Sequence, residues 1–418
     1  MDYIMPKTPK IIAPAGSPES FAAALNAGAD AVYVGAGGFN MRAGANALSM
    51  DTIAGMAERA KDSGVEFLLA MNTIAYDGEF DEASRVLDHA AEISVDAVIM
   101  WDTGLMALAR ERGLTVNLST QASVSNVHAA LFYESLGVKR IVLARELSLE
   151  QIAATIAAAR AKGSSLEFEC FVHGAMCVAV SGRCLTSQFI SGRSANRGDC
   201  LQPCRHKFRV TEELEGYELD FEGHSVMSAR DLCSIDIVDR LVEAGIDAFK
   251  IEGRMRDAFY VKTTVEAYRE ARDAALAGSF TSELGAGLRE RLKRVFHREF
   301  SSGFYLSRPD HEMTEKNGNQ SEVVKEYAGK VTNYFAKVNA AEIKLEARGI
   351  STGDNLLVTG PTTGAMEFSA DSIHSESGDP LTEAAQGSII GLQVPEKVRR
   401  SDSLFVLRNR QDKPQTER

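Results

Sequence analysis

Over the first 255 residues one hydrophobic pattern repeats. A short, β-rich apolar run gives way to a polar turn, and then to a stretch whose apolar residues recur at helical spacing. The apolar runs predict strands at Lys10–Ala15, Ala31–Gly35, Glu66–Asn72, Ala97–Trp101, Thr115–Ser119, Arg140–Ala144, Leu166–Val172 and Ala248–Glu252. The stretches between them predict helices such as Pro18–Ala27, Asp51–Lys61, Phe80–Glu92 and Leu149–Ala161. Gly28, Gly64 and Gly113 stand where helices should stop, because glycine tolerates the left-handed conformation of a helix terminus. Alternating strand and helix implies right-handed βαβ units and a parallel sheet. Eight strands predict an α/β fold of the closed (β/α)8 TIM-like type, with an open doubly wound sheet as the alternative.

Two interruptions divide the chain. A Cys-rich insertion, residues 174–247, separates the seventh and eighth strands and leaves the carboxyl end of a barrel strand, where barrels place their chemistry. Residues 256–300 return to helical spacing, with Tyr260–Leu276 and Leu284–Phe296 as the main segments. The first unit is thus expected to be a barrel domain over 1–306. A polar stretch at 307–322, with Pro309 and Asn317-Gly-Asn319, is expected as a linker. From Val323 the pattern changes to short alternating strands with glycine turns, which predicts a small all-β barrel over 323–408 and a frayed tail over 409–418.

Composition narrows the function classes. The chain has 418 residues, 44% of them hydrophobic, so it can bury a large core. Lys and Arg number 46 against 58 Asp and Glu, a net charge of −12, which argues against coating nucleic acid by bulk charge. No apolar run approaches the roughly 20 residues of a membrane helix. The start, MDYIMPKTPK, has no apolar signal region. A cytoplasmic, reducing setting is therefore expected, in which the six cysteines serve as ligands or catalytic thiols rather than disulfides.

Five of those cysteines fall in the insertion. Cys177, Cys184, Cys200 and Cys204 have the spacing C-x6-C-x15-C-x3-C. Four thiolates suit zinc or an iron–sulfur centre, although neither usual spacing is present. The plain alternative is four buried structural cysteines. The same stretch is basic: Arg183, Arg193, Arg197, Arg205, Lys207 and Arg209 face a single carboxylate, Asp199. These cations would either bind phosphates or offset thiolate charge.

These residues carry a resemblance. Glu169-x-Phe171-x2-Gly174-Ala-Met-Cys177-x4-Gly182-x-Cys184-x2-Ser187 closely resembles the signature of the U32 peptidase family, the collagenase-like proteases. It departs at Thr186, where the family usually has an aliphatic residue. Ala13-Pro-Ala-Gly16, Asp30-Ala-Val-Tyr33-Val-Gly35 and Lys250-Ile-Glu-Gly-Arg254 are also similar to the family. The likeness spans about 1–305, and the terminal β unit is similar to one that some members carry.

The resemblance implies more than proteolysis. One branch supports oxygen-independent 5-hydroxylation of wobble uridine in tRNA with prephenate as hydroxyl source. Another acts on a ribosomal RNA cytidine, and a third on ubiquinone precursors. This chain looks most like the tRNA branch, through Phe171-Val-His-Gly-Ala-Met-Cys177, Asn196-Arg-Gly-Asp-Cys200-x3-Cys204-Arg205 and Met227-x2-Arg230-Asp-Leu232. Carried over, Cys177, Cys184, Cys200 and Cys204 would bind a 4Fe–4S cluster, which air could remove or replace with zinc. Cys170 and Cys233 would be spare, although the ubiquinone branch uses a cysteine near position 233.

Protease machinery is scarce. There is no H-E-x-x-H or G-x-S-x-G motif, and His311-Glu312 begins the first without completing it. Asp62-Ser-Gly64 and Asp102-Thr-Gly104 mimic aspartic protease triplets, but the first reads as a helix end and the second as a helix cap. A thiol protease would pair Cys177 with His173, and a cluster would compete for the same cysteine.

Polar residues at strand ends are the remaining site candidates, since a barrel interior should be apolar. Glu169, His173, Lys250 and Glu252 are expected as catalytic groups. Asn72, Asn117, Gln121, Arg145 and Arg254 are expected to bind substrate. Arg145, Lys250 and Arg254 would clamp a small dicarboxylate such as prephenate. The leading expectation is an iron–sulfur tRNA-modifying enzyme, with RNA docking through Arg183–Arg209, through Arg289–Arg298 and through the β unit. The alternatives are a peptidase and a non-catalytic iron–sulfur accessory protein with a protein partner.

Overall fold

The computed structural model describes residues 7–41, 48–206, 210–211, 213–214, 216, 218–219, 227–309, 312–316 and 318–410. Eight parallel strands form its centre: β1 Lys10–Pro14, β2 Ala31–Gly35, β3 Glu66–Ala70, β4 Ala97–Met100, β5 Val116–Leu118, β6 Val138–Val142, β7 Glu167–Gly174 and β8 Ala248–Ile251. Each strand pairs with the next in sequence, and β8 pairs with both β7 and β1. The sheet therefore closes into a (β/α)8 barrel. The open doubly wound alternative falls, because β8 supplies the pairing that an open sheet lacks.

Helices cover the barrel, and local chemistry sets their ends. Ser17, Ser49, Asp102, Asn126, Ser148 and Asp257 each cap a helix through a side-chain oxygen that accepts a backbone N–H. Asp102 Oδ1 takes the N–H groups of Gly104 and Leu105, and Asp62 is the last residue of the helix Met50–Asp62. Both aspartic triplets are thus structural. The main core lies between strands and helices, with Phe21, Phe67, Phe168, Phe249 and Tyr268 fully buried.

The barrel interior corrects one expectation. Its β1–β4 side is apolar, with Ile12, Leu68, Ala70 and Ile99. Its β6–β8 side is a ladder of paired charges that reaches across to Glu66 at the start of β3. Arg140 bonds Glu167 and Glu66, and it lies 3.8 Å from Glu169, which in turn binds Lys250 at 2.6 Å. Burial alone would penalise these ions, and the alternation of sign down the bore offsets that cost.

The described residues of the insertion fold over the carboxyl end of the barrel. Asp231–Cys233 returns antiparallel to the end of β7, pairing Leu232 with Gly174 and Cys233 with His173. The helices Ala258–Leu276 and Ser282–Lys293 follow β8. The stretch expected as a linker is packed: Thr314 is fully buried and Met313 bridges to Ala229.

Beyond it an antiparallel sheet wraps its own core of Val331, Ile343, Leu356, Leu392 and Val406. Its last strand runs Ser403–Asn409, and Arg410 holds the Ser321 carbonyl. Asn409 and Arg410 are therefore not frayed, while 411–418 lie outside the described residues. This unit packs closely on the barrel. A Cβ at Gly364 would lie 2.6 Å from the Ala23 nitrogen, and Asn26 and Arg59 donate to carbonyls of Pro361, Thr362 and Thr363.

Candidate functional site

A cavity of about 280 Å³ lies at the carboxyl ends of the strands, between the barrel and the insertion. Cys177, Cys184, Cys200 and Cys204 all line it. Gly174, at φ +105, turns the chain out of β7 into the loop that carries Cys177, a conformation that favours glycine. Glu146 pins the next turn by accepting from the Ser181 N–H at 2.7 Å. Cys184 N–H donates to Asn196, and Cys200 and Cys204 flank the turn at Gln202.

Three of the four sulfurs have the same local partner. Ala179, Thr186 and Gln202 donate their backbone N–H to the sulfur of the cysteine two residues earlier, each at 3.4 Å. The Thr186 hydroxyl lies 3.2 Å from the Cys184 sulfur, a contact that an aliphatic residue would not make. Burial raises the Cys204 pKa; Arg205 opposes it and the other three thiols add to it. Cys170 and Cys233 are buried away from the cavity, where burial pushes Cys233 up to about 11.

The barrel floor contributes a second group. Lys250 is 4% exposed, lines the cavity, and lies 4.6 Å from the Tyr33 ring centre and 5.6 Å from that of Phe171. Burial lowers its ammonium pKa, with Glu169 opposing. Arg145 stacks 3.7 Å from the Phe171 ring centre and holds the Ala175 carbonyl. Arg254 binds Asn40 Oδ1 at 3.0 Å. Tyr33 donates to the Ile251 carbonyl and to Glu252. Asn72 reaches toward Ser119 at 3.4 Å and Gln121 at 3.5 Å.

The cavity therefore brings together Asn72, Gln121, Arg145, Lys250, Glu252 and Arg254 with the four cysteines. Glu169 reaches it through Lys250. Asn117 does not line it, being buried within β5. His173 does not reach it either. Its ring packs among Tyr260, Tyr268 and Phe300, and its Nδ1 lies 3.4 Å from the Tyr268 hydroxyl. The shift in strand pairing between Lys250 and Ile251 goes with that outward placement. Burial, with His297 and Arg256, pulls His173 down to about 3. The Cys177–His173 pair is not assembled, and His311 lies outside the described residues. Tyr33 and Phe171 were missed as site residues, although their aromatic character at inward strand positions was the available signal.

The basic stretches are largely neutralised. Arg193 pairs with Asp199 and Arg197 with Glu79. Arg205 turns inward to the carbonyls of Met176 and Ala229. Lys207 and Arg209 lie outside the described residues. Arg289, Arg291, Lys293, Arg294 and Arg298 all have carboxylate partners. Among the described residues these pairings neutralise most of both stretches, while Arg183 stays exposed beside Ser123 and Trp101.

A family model described as Peptidase family U32 matches residues 16–315. The chain belongs to this family. A Porphyromonas gingivalis protein named collagenase is 38% identical, over 96% of this chain and 99% of its own length. A Bacillus subtilis protein named tRNA hydroxylation protein P1 is 30% identical, over 94% of each. An Escherichia coli 23S rRNA 5-hydroxycytidine synthase is 37% identical over 64% of this chain and 40% of its own length. These U32 relatives are enzymes of RNA hydroxylation and peptide hydrolysis by name, which supports an enzyme here. Among the described residues no helix is long and apolar enough to cross a membrane.

Proposed function

We propose that this U32 protein is an iron–sulfur enzyme of RNA modification that hydroxylates carbon 5 of wobble uridine in tRNA, with prephenate as the hydroxyl source. The observation that carries the reading is a cavity lined by four thiols together with one lysine, three arginines and two carboxylates.

The donor set suits a cluster held by Cys177, Cys184, Cys200 and Cys204. Soft thiolates favour iron–sulfur centres, and three sulfurs already receive N–H donors. Arg205, Arg256 and Arg298 lie around Asp231, Arg256 also faces Glu252, and Arg205 interacts with Cys204 and Cys177. Arg205 thus sets positive charge beside the cysteines, as an anionic cluster needs. A 4Fe–4S cluster takes one thiolate per iron, and the four cysteines that line the cavity supply that number. When bound, it would supply an electron relay or a Lewis-acidic iron beside the cavity.

The chain's own residues would do the rest. Arg145 and Arg254 would bind the carboxylates of the small substrate. Lys250 and Glu169 would hold and move a proton, while Tyr33 and Phe171 keep water from the cavity floor. The uridine would be splayed out of its loop to enter. Lys397, Arg399 and Arg400 line a groove of the β unit with Tyr334 and Glu342, three cations to one carboxylate, so this is the favoured RNA-docking face.

The peptidase reading rests on the collagenase name of a relative, and among the described residues His173 is packed away from Cys177. Anaerobic iron and sulfide analysis, followed by nucleoside mass spectrometry of tRNA from a deletion strain, tests the proposal. About four irons per chain, lost in Cys200→Ala, together with restored 5-hydroxyuridine, are expected. A colourless, iron-free protein after reconstitution would sink it. Gelatin cleavage abolished by Cys177→Ala would favour the peptidase, and a cluster-loaded chain active only with a second protein would favour the accessory reading.

A further inference from the structure

We propose that Lys250 is a covalent catalyst that forms an imine with the ketone of a 2-oxo acid. The inference deepens the function proposed above, because it takes the same cavity as the substrate site.

The geometry has four parts. Lys250 is the barrel lysine that lines the cavity, and it is almost wholly buried between the rings of Tyr33 and Phe171. Paired with Glu169 it rests as one rung of the charge ladder, and passing its proton to Glu169 leaves a neutral amine, which is a nucleophile. The lowered pKa agrees with this. Glu169 accepts from Nζ at 2.6 Å and is 1% exposed, so it is placed to take the ammonium proton. Glu169 also lies near Arg140, which keeps a cation beside it when Lys250 gives up its charge. Arg145 and Arg254 line the same cavity and supply the carboxylate recognition that selects an oxo acid over a simple ketone.

The step balances without an external oxidant or reductant. Lys250 passes a proton to Glu169, and its nitrogen lone pair attacks the ketone carbon. The C=O π pair moves to oxygen, which takes up the proton that the attacking nitrogen sheds, giving a neutral carbinolamine. Glu169 returns its proton to that hydroxyl, water leaves, and the C=N bond forms with the remaining N–H proton in place. The protonated imine so made draws electrons from the neighbouring carbon, which is what a bond-breaking step at that carbon requires.

Reductive trapping tests the inference. The full chain, reconstituted anaerobically, is incubated with pyruvate or phenylpyruvate and sodium cyanoborohydride, then digested and mapped by mass spectrometry. A reduced oxo-acid adduct on the peptide that carries Lys250 is expected. It should be absent in Lys250→Arg and form roughly 100-fold more slowly in Glu169→Gln, the usual loss when a positioned acid–base group is removed. The wild-type peptide map decides the matter even if a variant fails to fold. No adduct, or an adduct spread equally over surface lysines, would overturn the inference. Iron content and 5-hydroxyuridine are read on the same preparation: no adduct with both present removes only the imine, while an adduct with neither removes only the RNA-modifying reading.

Discussion

Arg205 donates a hydrogen bond to the Met176 carbonyl at 2.7 Å, tying the residue after Cys204 to the residue before Cys177. One guanidinium thus joins the two ends of the cysteine set, and it also holds Ser228 and the Ala229 carbonyl. Arg205→Met removes these bonds and leaves buried carbonyls unpaired, at a cost on the order of 3 kcal/mol. The expected outcome is a lower melting temperature and faster iron loss to a chelator than in wild type.

The six cysteines should divide four to two. Serine at 177, 184, 200 or 204 is expected to abolish iron retention. Cys170→Ala and Cys233→Ala should keep it, since both thiols are buried outside the cavity. Iron lost in Cys233→Ala, with the fold intact by circular dichroism, would move one ligand to that position.

The interior ladder predicts unequal costs for its two ends. Glu169→Gln strands both Lys250 and Arg140, and should destabilise by about 3–5 kcal/mol. Lys250→Met should cost less, because Arg140 still faces Glu169. The double variant should cost less than the sum of the singles. Urea denaturation of the four proteins in the cycle measures this directly, and strict additivity would show that the pair is not coupled.

Acid should weaken the fold through buried imidazoles. His173 is held down to about 3 and His297 to about 4, both by burial first, against an ordinary value of 6.5. Both folded values are depressed, so this stability is fully present above pH 6.5 and is lost as pH falls toward 3 or 4. Each such imidazole contributes a slope of at most about 1.4 kcal/mol per pH unit. Thermal melts from pH 7 to 5 should fall more steeply in wild type than in His173→Phe. Equal slopes would sink the assignment.

Gly16 explains part of the Ala13-Pro-Ala-Gly16 motif. A Cβ there would overlap the Arg254 carbonyl oxygen, so only glycine lets the first strand's loop lie against the chain that carries Arg254. Gly16→Ala should shift Arg254 and weaken binding of a small dicarboxylate roughly tenfold, the loss of one charge-assisted bond. Calorimetric titration checks it, and unchanged affinity would show that Arg254 does not bind the ligand.

The periodicity of the chain determined the barrel. Every predicted strand of the first 255 residues coincides with an observed one, because alternating apolar runs and capped helices are local signals that need no partner to be read. Asp102 as a cap and Asp62 as a helix end were legible for the same reason. The facing of β7 was not. His173 sits in a polar-rich strand end, yet the register shift beside Lys250 turns it to the helical side, and only the pairing of β7 with β8 decides that. The charged stretches were misleading for a related reason. A count of arginines says nothing of Glu79 or Asp236, which the fold brings from elsewhere to pair with Arg197 and Arg289. The convergence of four spaced cysteines on the cavity of Lys250 also belongs to the tertiary structure, since an insertion has no periodicity and its direction is set by contacts such as Glu146 with Ser181 and Arg205 with Met176.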